Sequence, residues 1–552
     1  MRTDDIRFGR LVRDAGPPGH LDAPARISAW APARPQIALM HALILAAVWL
    51  TFASSGIVFS EPTPVDILTM GLIVLLPAAG LLRPTPRLVV FLALWGLVAA
   101  GGLLASTQSD DLKASTTFTV VSVYLYIAAF TTAAFIAHTP QRHVSLILSA
   151  WLAAAIATSL AGLAGYFDLV PGAYDLFTRF GRASGTFKDP NVMGAFLVAP
   201  FLYALHLVLH APAKRGLWIT VAVMFGAGLL ALATLLTMSR GAWLNLAVGL
   251  AIYTALAYAT ATSDVERSRI TLAASAGVAV LGLVILAVMQ DDRIGQTLID
   301  RATVTQSYDV GPAGRFGGQQ KALDLLLTNP VGIGAGQFVM NHHFEDVHNV
   351  YLSVFLNNGW LGGLAYAVIV LLTIGLGLIS LNRPSNERPL MLVALAAFAA
   401  TAFEGIVIDT DHWRSFYLLS AIVWGLAAGG PNAHGLYAHR PHAHRPHAHG
   451  PQARGHPSRR PRAPASISRR RAAGLAQYGR WSSSLRSHFT RRLLPRRVVR
   501  RGRIICCSHR HWPQLVSNDG VLSQDSCPFK GYASATIALP SSPEGAGQPI
   551  RR

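Results

Sequence analysis

The chain has 552 residues, 52% of them hydrophobic and only 13% charged, a balance that excludes an ordinary water-soluble enzyme and points to many membrane spans. The formal net charge of +20 resembles a nucleic-acid signal until it is located: residues 431–552 hold 22 Lys/Arg against 3 Asp/Glu, which leaves 25 against 24 in residues 1–430. The basic surplus therefore belongs to the tail and implies no nucleic-acid partner, and Cys506, Cys507 and Cys527 lie there too, so the apolar part has no thiol or disulfide chemistry.

Residues 1–36, with Arg2, Arg7, Arg10, Arg13, Arg26 and Arg34 among prolines and glycines, read as a cytoplasmic, mostly disordered arm. They run into a full-length apolar stretch and not into the short core of a cleavable signal. Runs near the ~20 residues that cross a bilayer follow at about 37–59, 65–82, 88–105, 116–137, 144–165, 190–210, 217–237, 241–261, 270–289, 360–380, 390–408 and 414–429. These predict an all-α, polytopic bundle of about twelve transmembrane helices over residues 37–430, in contact with lipid on its outer faces. Cytoplasmic loops retain Lys and Arg. With the amino terminus inside, the inside connections hold Arg83 and Arg87, Arg142, Lys214 and Arg215, Arg267 and Arg269, and Arg383 and Arg388. The outside connections at 60–64, 106–115 and 409–413 are acidic or neutral, and both termini are placed in the cytoplasm.

Against that bias, arginines also occur on the outside. Arg179, Arg293 and Arg301 read equally well as solvated loop residues. Arg240, in Met238-Ser239-Arg240-Gly241-Ala242-Trp243, is different, because two apolar runs meet there with almost no loop between them. A guanidinium held close to hydrocarbon is costly and calls for an anionic partner. One large outside loop, 290–350, carries Arg315, a short amphipathic helix over Gln319–Thr328 (Ala322, Leu325, Leu326 and the neighbouring Leu323) ended by Asn329-Pro330, and Gly332-Ile333-Gly334-Ala335-Gly336. Without a strand-turn-helix context the glycines do not indicate a dinucleotide site, and they read equally well as a plain turn or as a tight loop able to approach another surface. His342, His343, Glu345, Asp346 and His348 match no standard zinc spacing, and no metal is expected. His348-Asn349, nine residues before Gly359-Trp360-Leu361-Gly362, falls where the loop gives way to the next span. That position sets an imidazole at the outer interface, near its working pKa.

These pieces resemble the O-antigen ligase and O-antigen polymerase superfamily of bacterial membrane enzymes, over roughly residues 180–380. They are Arg182-Ala183-Ser184-Gly185-Thr186-Phe187-Lys188-Asp189-Pro190-Asn191, Ser239-Arg240-Gly241-Ala242-Trp243, Arg315 with Asn329-Pro330-Val331-Gly332-Ile333-Gly334, and His348-Asn349-x9-Gly359-x2-Gly362. Gly363 stands where ligases often carry threonine, which leaves ligase against polymerase open. The resemblance implies an inverting glycosyl transfer at the periplasmic face of the inner membrane, from an undecaprenyl-diphosphate-linked glycan to a hydroxyl of a glycan or lipid A-core acceptor, with no metal and no cofactor. Guanidinium forks suit the charge that develops on a leaving diphosphate, so Arg240 and Arg315 are the candidates there. A neutral imidazole suits the proton of the attacking hydroxyl, which assigns His348 as base, and Arg182, Lys188, Asn191 and Asn349 are candidates for substrate binding.

Past Gly430 the apolar pattern stops. Ala438-His439-Arg440-Pro441-His442 is repeated as Ala443-His444-Arg445-Pro446-His447 and followed by Arg-rich sequence, so 431–552 reads as a disordered, low-complexity cytoplasmic tail. Two rival functions stand beside the enzyme: a transporter or flippase of the same lipid-linked glycan, and a non-catalytic scaffold for polysaccharide assembly. A transporter would show internal repeats or ionisable groups near the bilayer midplane. Here Glu404 and Asp409 lie toward the outside end of their span.

Overall fold

A computed structural model describes residues 35–210, 216–290, 292–303, 306 and 309–429. The expected arm up to residue 34, the Lys214–Arg215 connection and the His/Arg/Pro-rich tail lie outside the described residues. Twelve long helices fall on the twelve apolar runs: α1 (Pro35–Ala53), α2 (Pro64–Ala78), α3 (Pro86–Ser106), α4 (Leu112–His138), α5 (Pro140–Tyr166), α7 (Pro190–Leu209), α8 (Leu217–Leu236), α9 (Arg240–Thr260), α10 (Asp264–Val288), α14 (Val350–Leu381), α15 (Arg388–Glu404) and α16 (Arg414–Gly429). Shorter helices α6 (Ala173–Phe177), α11 (Asp292–Ala302), α12 (Arg315–Thr328) and α13 (Gln337–Asn341) sit in the connections, with a two-residue hairpin of β1 (Thr178–Arg179) and β2 (Arg182–Ala183). Among the described residues eight helices are both long and apolar enough to cross a membrane: α1, α3, α4, α5, α7, α8, α9 and α14. The chain is a multi-pass helical membrane protein.

Local chemistry sets the helix starts. Proline opens α2, α3, α5 and α7, where its missing N–H is no loss. Side chains of Asp111, Asp189, Ser239, Ser263 and Asn349 cap α4, α7, α9, α10 and α14. The helices are apolar around most of their circumference. Leu43, Val74, Phe225 and Leu272 point outward and stay exposed, as suits a hydrocarbon surround. The interior is an aromatic core where α3, α4, α14 and α16 meet. Trp95 stacks on Tyr126 at 4.5 Å and Phe91 on Trp424 at 4.8 Å, and the Trp424 indole donates to Thr373 at 2.8 Å.

Contacts between connections gather one end of the bundle. Val58 pairs with Phe187, Arg414 forks onto the Asp66 carboxylate at 2.7 and 2.8 Å, and the Ala335 N–H donates to Ser115 at 3.0 Å. At the other end Arg83 donates its N–H to the Ala134 carbonyl at 3.0 Å and Arg87 its guanidinium to the Ala427 carbonyl at 2.5 Å.

Two expectations change here. The helix predicted over 360–380 starts ten residues earlier, at Val350, because Asn349 caps it, and it is broken at Gly359 (φ 64°, ψ −174°). The segment 330–334 fills the break: Ile333 N–H donates to the Leu356 carbonyl at 2.8 Å, and Trp360 N–H to the Pro330 carbonyl at 2.9 Å. The loop thus supplies the partners that the interrupted helix lacks. Gly332 adopts φ +91°, and a Cβ there would lie 2.7 Å from both Gly359 N and Leu356 O. Secondly, the helix predicted over 319–328 begins at Arg315 and turns Leu323 outward, 40% exposed, while Ala322 is fully buried.

Gly359→Ala tests this seam. The backbone values at Gly359 are essentially glycine-only and cost about 1–3 kcal/mol for another residue, and a Cβ would collide with the Val331 carbonyl. The expected outcome is a lower thermal midpoint in detergent together with faster proteolysis within 329–336. Unchanged behaviour in both would mean that the loop does not depend on the break.

Candidate functional site

Arg240 opens α9 directly after the α8–α9 turn, in which Met238 has φ +49° and the Ser239 hydroxyl accepts from Ala242 N–H at 3.3 Å. Arg182 braces this turn, donating Nε to the Thr237 carbonyl at 2.6 Å and Nη2 to Asn191 Oδ1 at 2.7 Å. Arg182 and Asn191, expected to hold substrate, therefore support the segment that presents Arg240. Arg240 donates Nη2 to Asp309 Oδ2 at 2.8 Å and Nη1 to the Thr303 carbonyl at 3.3 Å. Across the same carboxylate, Arg315 Nε lies 3.9 Å from Asp309 Oδ1. The two arginines singled out from the sequence are thus joined through one acidic residue that sequence reasoning passed over.

Arg315 is the first residue of α12, and Gln319, one turn later on the same face, donates its amide to the His348 carbonyl at 3.2 Å. That contact links the arginine pair to the histidine. His348 is held in the left-handed region, φ +52°, which costs a residue with a side chain about 1–2 kcal/mol. Asp409 offsets the strain: its carboxylate accepts the His348 N–H at 2.8 Å, the Asn349 N–H at 3.2 Å and the Ser353 hydroxyl. Val350 N–H is accepted by the Gly405 carbonyl at 2.8 Å. The loop after α15 therefore fixes the backbone on which the histidine rides.

The electrostatics depart from expectation. Burial, then the positive fields of Arg315 and His343, push His348 down to about 4, against a smaller opposing pull from Asp309. The imidazole is thus neutral well below pH 7, and not poised near its ordinary value. Glu345 Oε2 lies 3.6 Å from His348 Nε2 and would favour the imidazolium if one formed. Burial and the neighbouring Asp411 raise Asp409 to about 7, and burial raises Asp411 to about 6.

Asn349 is a cap: its side-chain oxygen accepts from Tyr351 N–H at 3.1 Å and Leu352 N–H at 3.2 Å. Lys188 is exposed and pairs at 3.8 Å with Glu61, in the α1–α2 connection. Beneath Arg240, Asn245 donates to the buried Glu404 at 2.6 Å, and a Cβ on Gly241 would stand 2.8 Å from Glu404 Oε1. Asp409 and Glu404 left a trace in the sequence, as acids beside or inside an apolar run, whereas Asp309 lies within the large 290–350 loop, and nothing in the sequence names the partners of any of the three. Among the described residues no group of three or more His, Cys, Asp or Glu side chains is arranged to hold a metal. Two guanidinium groups beside a neutral imidazole can bind an anion and accept a proton in one place.

Comparison with known families gives a match over part of the chain. Residues 225–367 match the family model described as O-antigen ligase, in keeping with the O-antigen ligase and polymerase superfamily, and the match supports a glycosyl-transferring role of that general type. It takes in Arg240, Asp309, Arg315, His348 and the Gly359 break, and leaves out Arg182, Lys188, Asn191, Glu404 and Asp409. No curated protein matches the chain.

Proposed function

We propose that this O-antigen ligase-type chain is a metal-independent, inverting glycosyltransferase that moves a glycan from undecaprenyl diphosphate to an acceptor hydroxyl, on a glycan or on lipid A-core, at the periplasmic face of the inner membrane. The observation that carries the reading is the joining of Arg240 and Arg315 through Asp309 beside His348. In one displacement the acceptor oxygen attacks the anomeric carbon from the face opposite the diphosphate. The bond from that carbon to the phosphoryl oxygen breaks, and its electron pair leaves with the diphosphate toward the two guanidinium groups. The hydroxyl proton passes to the His348 imidazole. Inversion follows from the single attack.

Orientation is supported by charge. Arg83, Arg87, Arg142, Arg267, Arg383 and Arg388 lie at or next to the turns opposite the site, and the positive-inside bias favours the cytoplasm for that end. Twelve spans with both termini inside fit this arrangement.

The test is the purified full chain in proteoliposomes with lipid-linked donor and acceptor together on the site side. Release of undecaprenyl diphosphate matched by new acceptor-linked glycan is the expected result. Movement of intact donor across the bilayer without any transfer would establish the flippase instead. In cells lacking the gene, a single surface unit remaining on the acceptor identifies a polymerase, and unattached lipid-linked polymer identifies a ligase.

A further inference from the structure

Asp309 takes no part in the bond changes above, yet it occupies the centre of the site. Its side chain is only 4% exposed. Oδ2 accepts from Arg240 Nη2 at 2.8 Å and from the Gln306 N–H at 2.8 Å, and Oδ1 faces Arg315 Nε at 3.9 Å. Burying a carboxylate this deep strips its hydration, a cost that pairing and hydrogen bonds must offset. The backbone amide fixes it from the loop side, so it is anchored and does not swing freely between partners.

The two guanidinium groups come from the starts of different helices, α9 and α12, and repel each other. A buried anion between them offsets that repulsion and sets their separation, while the trio keeps a net positive charge for an incoming anion. We infer that Asp309 is a positioning residue that presets Arg240 and Arg315 as a paired site for a diphosphate, two phosphoryl groups at a fixed spacing, in preference to a single phosphate. The inference rests on the diphosphate reading of the function and adds to it the source of the site's selectivity.

The probes are inorganic pyrophosphate and inorganic phosphate, titrated against the detergent-purified full chain and followed by the rise in its thermal midpoint, alongside transfer kinetics. Wild type is expected to bind pyrophosphate the more tightly. In Asp309→Asn that preference should fall about tenfold and kcat about a hundredfold, the scale of loss that a misplacement near 1 Å produces, with the donor KM changed less than about threefold because both cations remain. Asp309→Glu restores the charge but shifts it by one methylene, and should lie between the two. General destabilisation would not move a ratio of two affinities.

Wild-type preference and rate in Asp309→Asn would overturn the inference. Tighter pyrophosphate binding with faster transfer would overturn it too, since Asp309 would then be a competing anion. Should Asp309→Asn fail to insert, Asp309→Glu decides, and wild-type preference there would refute positioning. If Arg240→Ala and Arg315→Ala both bind pyrophosphate as wild type does, the diphosphate reading fails and this inference with it. If those two lose binding while Asp309→Asn keeps its preference, only the inference fails.

Discussion

His348→Ala is expected to lower kcat for transfer by about 10²- to 10⁴-fold, the contribution of a placed general base, while the protein still inserts and unfolds near the wild-type temperature. The pH dependence gives the sharper result. In the free protein His348 sits at about 4, held down by burial first and by the Arg315 charge second. The acid limb of kcat/KM, which reports the free enzyme, should therefore lie below about pH 5 and not near the ordinary imidazole value. Once a diphosphate engages Arg315, part of the field that depresses His348 is neutralised, so the acid limb of kcat should move upward. Asp409, at about 7, also titrates in range. A limb near pH 7 that disappears in Asp409→Asn belongs to Asp409, and the lower limb that survives belongs to His348.

The same depression carries a stability consequence of definite sign. Between the unfolded histidine value near 6.5 and about 4, the unfolded chain binds a proton that the folded chain does not, so the contribution of His348 to stability is lost as pH falls through that window. Superimposed kcat and kcat/KM limbs near pH 6.5 would remove both the burial account and the link to Arg315.

Arg240→Ala is expected to lower kcat/KM for transfer by about 10²- to 10³-fold, the usual loss when a preorganised donor to a leaving anion is removed, and Arg315→Ala by a comparable factor. Two effects add at Arg240: its charge leaves the diphosphate, and Asp309, nearly buried at 4% exposure, loses its 2.8 Å partner. Arg240→Lys should recover little, since an ammonium cannot reach Asp309 and the Thr303 carbonyl in a planar fork. Transfer assays with lipid-linked donor check both positions. A lysine at 240 that restores wild-type turnover would show that charge alone matters there.

Much of this was legible in the chain. Each apolar run became a helix, and Arg240 stood out because two runs met with no loop to solvate it. His348 stood out through its spacing to Gly359, for which the structure supplies the reason: a cap, a short helix and a break filled by residues 330–334. Other residues singled out from the sequence carry structural roles as well. Asn349 matched a motif but uses its side-chain oxygen to cap α14, and Arg182 and Asn191 bond to each other and brace the turn below Arg240. A side chain's type suggests what it can bind, whereas its neighbours decide what it does bind.

By itself the sequence determined the helical membrane class, the gathering of unusual arginines and one histidine into a few connections, and the placement of basic loops at the opposite end. Apolar run length and loop charge act locally along the chain, so they can be read in one dimension. Only the tertiary structure decided that Asp309 joins Arg240 to Arg315, that Asp409 holds His348 in a left-handed backbone from 61 residues away, and that the imidazole is pushed down to about 4. Those outcomes depend on which groups packing brings together and how much water it removes from them, and neither distance nor desolvation is a property of any single stretch.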